Sequence, residues 1–175
     1  ALNNIATCLM YQGKFSDALK PNYEALAIRK RALGNDHPDV AQSLNNIASC
    51  LSAMGRTDEA LKHHYEALNI RKRVLGNEHP DVARSLNNIA LCLSEMGKYD
   101  EALKYHYEAL DVKKWALGNY HPSLATSLNS IASCLSDLGR KREARELGQQ
   151  ALGILERALG SEHPHTKQAR EAWGG

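Results

Sequence analysis

The chain has 175 residues, with 22 Lys and Arg against 20 Asp and Glu, so it lacks the basic footprint of a nucleic-acid binder. It has no apolar run near the roughly 18 residues a membrane span needs, and no charged-then-apolar leader. Nucleic acid and membrane are therefore excluded as partners, and a cytoplasmic protein is expected.

Taken in order, the sequence repeats itself. The run Leu-Asn-Asn-Ile-Ala opens at Leu2, Leu44 and Leu86 and returns as Leu128-Asn129-Ser130-Ile131-Ala132, at a spacing of 42 residues. A fixed period of this size marks a stacked solenoid whose units cannot bury their apolar faces alone. The repeats are 1–42, 43–84, 85–126 and 127–168, with a capping helix at about 163–173, and together they read as a single array over 1–175.

Each repeat reads as two antiparallel helices. In the second, helix A is expected from Pro38 to Met54, with Val40, Leu44, Ile47, Ala48 and Leu51 on one face at helical spacing. Pro38 suits a first turn, where its missing N–H does no harm, and Gly55 suits a left-handed C-terminal cap. Helix B is expected to start with Asp58 as N-cap, with Ser16 and Asp100 filling that column elsewhere and Arg142 breaking it. Ala60, Leu61, His64, Ala67, Leu68 and Leu75 form its apolar-leaning face, with Ile70 and Val74 to one side.

Pro21 falls inside the first helix B and predicts a local distortion. Gly148 and Gly153 weaken the fourth, which reads as an end repeat. Beyond it, Lys167, Gln168, Arg170 and Glu171 can face water while Trp173, in register with Ile131, covers the core. The sequence opens within the first helix A, without the His-Pro-Asp-Val-Ala lead of repeats two and three. It therefore reads as a fragment of a longer protein with a partly exposed apolar face, through which a homo-oligomer could form.

The recurring pattern Leu-Asn-Asn-Ile-Ala, Gly, Asp-Glu-Ala-Leu, Tyr-Glu-Ala-Leu-x-Ile-Arg-Lys and Leu-Gly-Asn-x-His-Pro-Asp-Val-Ala resembles the tetratricopeptide repeat in its 42-residue, kinesin-light-chain-like form. The resemblance implies an all-α, right-handed superhelical solenoid in which helix A lines a concave groove that binds a partner's peptide. At 100° per residue the arc of helix A opposite its core face holds Gln42, Asn45, Asn46, Ser49, Ser52 and Ala53. Asparagine offers both a donor and an acceptor, so Asn3, Asn45, Asn87 and Asn129, with Asn4, Asn46 and Asn88 beside them, would form a ladder for an extended main chain. The resemblance also implies that Asn4, Asn46 and Asn88, with the basic residues Arg29 and Arg71, contact acidic peptides. Lys113 keeps that charge and Leu155 loses it, while Met10, Ser52, Ser94 and Ser136 stand where light chains carry a further basic residue.

Blander uses stay open beside these. The Asn columns could bridge neighbouring helices. The basic triplets Arg29-Lys30-Arg31 and Arg71-Lys72-Arg73 could serve only to complement a helix C-terminus. Cys8, Cys50, Cys92 and Cys134 occur once per repeat, too far apart for disulfides and without paired zinc spacing, so they read as small core side chains in a reducing compartment. His37, His79, His121 and His163 read as a loop and N-cap device, and the adjacent His63 and His64 point about 100° apart, unlike a zinc pair. No nucleophile elbow, phosphate loop or metal constellation is present, so neither enzymatic activity nor a cofactor or metal is expected.

Overall fold

The structure is a computed structural model describing residues 2–174. Among these residues it contains nine α-helices and no strand: α1 Leu2–Tyr11, α2 Phe15–Leu33, α3 Pro38–Ala53, α4 Thr57–Leu75, α5 Pro80–Glu95, α6 Tyr99–Leu117, α7 Ser123–Asp137, α8 Lys141–Leu159 and α9 Pro164–Trp173. The architecture is an all-helical solenoid of helix pairs. It divides into two compact units, Ala1–Asn77 and Glu78–Gly175. In the first, α1 packs on α2, α2 on α3 and α3 on α4. In the second the same succession runs from α5 through α9.

The period places the core. Leu44, Ile47, Ala48 and Leu51 of α3 are fully buried, as are Ile89 and Ala90 of α5 and Ile131, Ala132 and Leu135 of α7. Removing such side chains from water, at about 25 cal/mol per Å2, drives the stacking. From α4, Ala60, Ala67, Leu68 and Ile70 are buried, whereas Val74 is exposed. Ile5 and Cys8 of α1 are exposed although their counterparts Ile47, Ile131, Cys50 and Cys134 are buried.

Two glycine columns shape the turns. Gly55 adopts φ +75°, which closes α3 with the Gly55 N–H on the Ser52 carbonyl (2.9 Å) and the Arg56 N–H on the Leu51 carbonyl (2.9 Å). Gly76 has φ 83° and ψ 161°, an extended region essentially open to glycine alone. The tight turn at Gly55 leaves Arg56, not Asp58, as the residue preceding the first helical position of α4. The expected N-caps Ser16, Asp58 and Asp100 instead lie inside first turns, the helices starting at Phe15, Thr57 and Tyr99. No side chain caps these helices; Arg56 Nε and Nη2 instead donate to Glu59 Oε1 (2.7 Å) and Oε2 (2.8 Å), and Arg140 repeats this with Glu143.

The His-Pro leads do cap. His37, His79 and His163 each accept at Nδ1 from the backbone N–H two residues on, at 3.1–3.2 Å. Helix α2 runs unbroken through Pro21 despite the missing N–H, so the expected distortion does not interrupt it. At the far end Trp173 lies on Gly148: a Cβ on that glycine would come within 2.1 Å of the indole. A glycine that reads as a helix weakness is thus the seat of the capping tryptophan. The exposed side of α9 carries Lys167, Gln168, Arg170 and Glu171, and Arg170 Nη2 reaches Glu156 of α8 at 2.8 Å.

Candidate functional site

The two adjacent asparagines of each helix A part company. Asn45 is only 4% exposed and turns into the α3–α4 interface, where it meets His64 Nδ1 at 2.8 Å. With the Asn45 carboxamide oriented by its neighbours, Nδ2 donates to His64 and Oδ1 accepts from Arg71 Nη1 and Nη2. Asn87 and His106 repeat the contact at 3.1 Å in the second unit. Burial, with the Arg71 cation second, pushes the His64 pKa down to about 4. Burial and the Lys113 cation push that of His106 down to about 4 as well. Both imidazoles are therefore neutral: His64 Nδ1 accepts from Asn45 Nδ2, whereas His106 Nδ1–H donates to Asn87 Oδ1.

This corrects the expected ligand ladder. The column of Asn3, Asn45, Asn87 and Asn129 faces helix B, and in the two middle repeats its amides are consumed there. The cause is local, because helix B presents Asn22, His64, His106 and Gly148 at the facing position. In repeats one and four no histidine answers, and Asn3 Oδ1 and Asn129 Oδ1 are buried without a partner.

The basic column is also spoken for. Arg71 is 1% exposed and its Nη2 donates to Gln42 Oε1 at 3.2 Å, so it is not available to a peptide. Arg29 Nη1 donates to Ser43 Oγ (2.8 Å) and to the Asp39 carbonyl (3.0 Å) on α3. Lys113 Nζ donates to Ser127 Oγ at 2.7 Å, and burial lowers its pKa. These bonds clasp one repeat to the next across α2–α3 and α6–α7. The fourth repeat shows the clasp by exchanging both members: Leu155 replaces the base and Ala169 the serine, and both are buried. The neighbouring triplet residues make ion pairs, Lys30 with Glu66 (2.9 Å) and Arg73 with Asp36.

The remaining expected residues stay toward the surface. Asn4 is exposed, and Asn46, Asn88, Ser49 and Ser52 are half-buried. Asn46 Oδ1 accepts from Gln42 Nε2 at 2.8 Å. Two clefts accompany them. In the first unit Leu2, Asn3, Ala25, Ile28 and Arg29 line a space of about 310 Å3. In the second, α7, α8 and α9 enclose one of about 420 Å3 that includes Thr126, Asn129, Leu155, Leu159 and Trp173.

The sequence reading missed His64 and His106 as asparagine partners, Ser43 and Ser127 as clasp acceptors, and the α7–α9 cleft. A signal for the serines was present, since the base and serine columns change together to Leu155 and Ala169 where the array turns into its cap, whereas Asn129 persists opposite Gly148. Among the described residues no cluster of metal-ligating side chains is found, and no helix is long and apolar enough to cross a membrane.

The family model described as tetratricopeptide repeat matches residues 1–72, 39–115 and 87–157. No curated protein sequence matches the chain. Among solved structures, a kinesin-light-chain candidate from Podosopora anserina with nearly identical TPR-like repeats is 25% identical, with TM-score 0.82, covering 99% of this chain and 85% of that one. A form of that protein carrying a glutamine-to-methionine substitution superposes with TM-score 0.83 at the same identity and coverage. BtubC (BKLC) from P. vanneervenii gives TM-score 0.86 at 24% identity, covering 99% of this chain and 69% of that one, and so shares the fold. Tetratricopeptide arrays generally mediate protein–protein interaction and are typically non-enzymatic scaffolds. The register of helices, glycine turns and buried columns, together with these matches, makes this chain a member of the tetratricopeptide repeat family.

Proposed function

We propose that the chain is a non-enzymatic scaffold that binds an extended peptide of a partner protein along helix A, through Asn4 and Asn46 in the first unit and Asn88 in the second. The observation that carries this reading is the division of labour between adjacent asparagines: Asn45 is consumed at the helix interface, while Asn46 stays half-buried with its Oδ1 held by Gln42. That leaves the Asn46 Nδ2 donors for a peptide carbonyl. Ser49 and Ser52 widen the polar strip. Any preference for acidic side chains rests on Arg29 and Lys113, which keep N–H donors beyond those given to serine. The tetratricopeptide match runs unbroken over 39–115, so the same repeat continues from the first unit into the second. Four free cysteines, of which Cys50, Cys92 and Cys134 are buried, support a reducing, cytoplasmic setting.

The test is selection of binding peptides from a displayed library, followed by fluorescence anisotropy with the wild type and with Asn46→Leu and Asn88→Leu. A loss of about tenfold or more per substitution in folded protein is expected, in keeping with one or two hydrogen bonds. Unchanged affinity would sink the assignment. A second reading is self-association, favoured by Ile5 at 52% exposure where Ile47, Ile89 and Ile131 are at 0%. Light scattering over a concentration series distinguishes it, because a strict monomer removes this reading.

A further inference from the structure

We infer that the outward face of α5 and α7 selects an extended peptide with a leucine-like side chain against Leu91 and, two residues away, a Lys or Arg that meets Glu95 and Asp137. This rests on the peptide-binding reading above and names the chemistry of the segment bound in the second unit. On α5 the face opposite the buried core carries Arg84, Asn88, Leu91 and Glu95 at helical spacing. The same register on α7 ends at Asp137. Ser94 Oγ lies 3.1 Å from Cys134 Sγ, so the turns bearing Glu95 and Asp137 are neighbours. At Leu91 the face departs from its own pattern, because Thr7, Ser49 and Ser133 hold that column while Leu91 is 45% exposed. Leu91 stands one turn from the half-buried Asn88, so a main chain held by that carboxamide lays a side chain on it. An apolar side chain there gains from burial on both partners.

Charge sets the second demand. Glu95 and Asp137 are exposed and close α5 and α7, and neither helix has a base in its last turn, although a helix C-terminus favours a cation. The helices B of this unit meet that preference themselves, with Lys114 in α6 and Arg157 in α8. Arg84, at the other end of the face, pairs with Asp81 at 3.0 Å. Arg140, the base that follows Asp137, is bound by Glu143 through both carboxylate oxygens. Even with Lys98 following Glu95, this end of the face is acidic. Lys113, the base an acidic ligand would need in this unit, is half-buried and clasped to Ser127. A partner's Lys or Arg thus finds counter-charges where a Glu would be repelled. The spacing agrees, since residues i and i+2 of an extended chain lie on one side about 7 Å apart, against about 6 Å of helix rise from Leu91 to Glu95.

The probes are the peptide Ac-Ser-Leu-Ser-Lys-Ser-amide and two relatives, one with Glu for Lys and one with Ser for Leu, titrated at low salt into the 15N-labelled chain. The first is expected to give saturable shifts of the Asn88 carboxamide and the Leu91 amide, with a Kd on the order of millimolar. Each relative should bind about fivefold more weakly. Added salt should shrink the preference for Lys and leave that for Leu. Leu91→Ser should remove the leucine preference, and Glu95→Lys with Asp137→Lys should reverse the charge preference. All three positions are exposed, so the melting temperature should hold. If the double variant fails to fold, Asp137→Lys alone must weaken the charge preference. Equal shifts from all three peptides, or preferences that survive in these variants, would overturn the specificity and leave peptide binding standing. Silence at Asn88 with every peptide would remove both.

Discussion

At the scale of single residues, the chain places two chemically identical side chains side by side and gives them opposite work. Asn45 sits between a neutral imidazole and a buried guanidinium, so Asn45→Ala leaves His64 Nδ1 and Arg71 short of partners. A destabilisation of about 2–4 kcal/mol in urea unfolding is expected, against no more than about 0.5–1 kcal/mol for Asn46→Ala at its half-buried site. The histidines make stability depend on pH. Their folded pKa of about 4 lies below the ordinary 6.5, so the unfolded chain binds more protons between those values. Stability is complete above about pH 6.5 and falls as pH drops toward 4, by about 2 kcal/mol per histidine at pH 5. Urea midpoints at pH 7.5 and 5 should separate accordingly, and His64→Gln with His106→Gln should flatten the dependence. Periodicity alone assigned both asparagines to one arc. It sees which residues of a helix are neighbours, but not that a histidine 19 positions away will turn one of them inward.

At the scale of elements, helix starts and stops were legible because proline and glycine act through local sterics. The N-cap of helix B was not, because the turn at Gly55 is closed by backbone bonds and needs no side-chain oxygen. Two glycines of α8 illustrate the difference between propensity and packing. Gly153 is exposed with nothing near its missing Cβ, so Gly153→Ala should stabilise by up to about 1 kcal/mol. Gly148→Ala has the same propensity gain, yet its methyl would collide with Trp173. We expect a net loss of about 1–3 kcal/mol and, in a Trp115→Phe background, red-shifted emission as the indole is pushed toward water. The clasp between repeats is open to a similar comparison. Arg29→Leu and Ser43→Ala should each destabilise, whereas the pair, copying Leu155 and Ala169, should recover part of the loss. The coupling read from a thermodynamic cycle should be about 0.5–3 kcal/mol.

For the whole molecule, the 42-residue period marked a repeat array, and the helical spacing of its apolar residues made each repeat a helix pair that buries its apolar face against the next. The proposed site was less legible, because the column turned toward helix B and the column left toward the surface use the same residue type, and only the facing helix distinguishes them. That Asn4, Asn46 and Asn88 stay toward the surface was readable in advance, and the inward turn of Asn45 was not. A consequence lies in the cysteines. Nature has placed one thiol per repeat at a common register, with Cys8 open to solvent and Cys50, Cys92 and Cys134 enclosed, and with burial pushing the Cys50 thiol pKa up. An aromatic disulfide reagent should modify Cys8 at once and the others only when their own repeat opens. Read by peptide mass, the order of labelling would report how the array comes apart, repeat by repeat, with no label engineered into it.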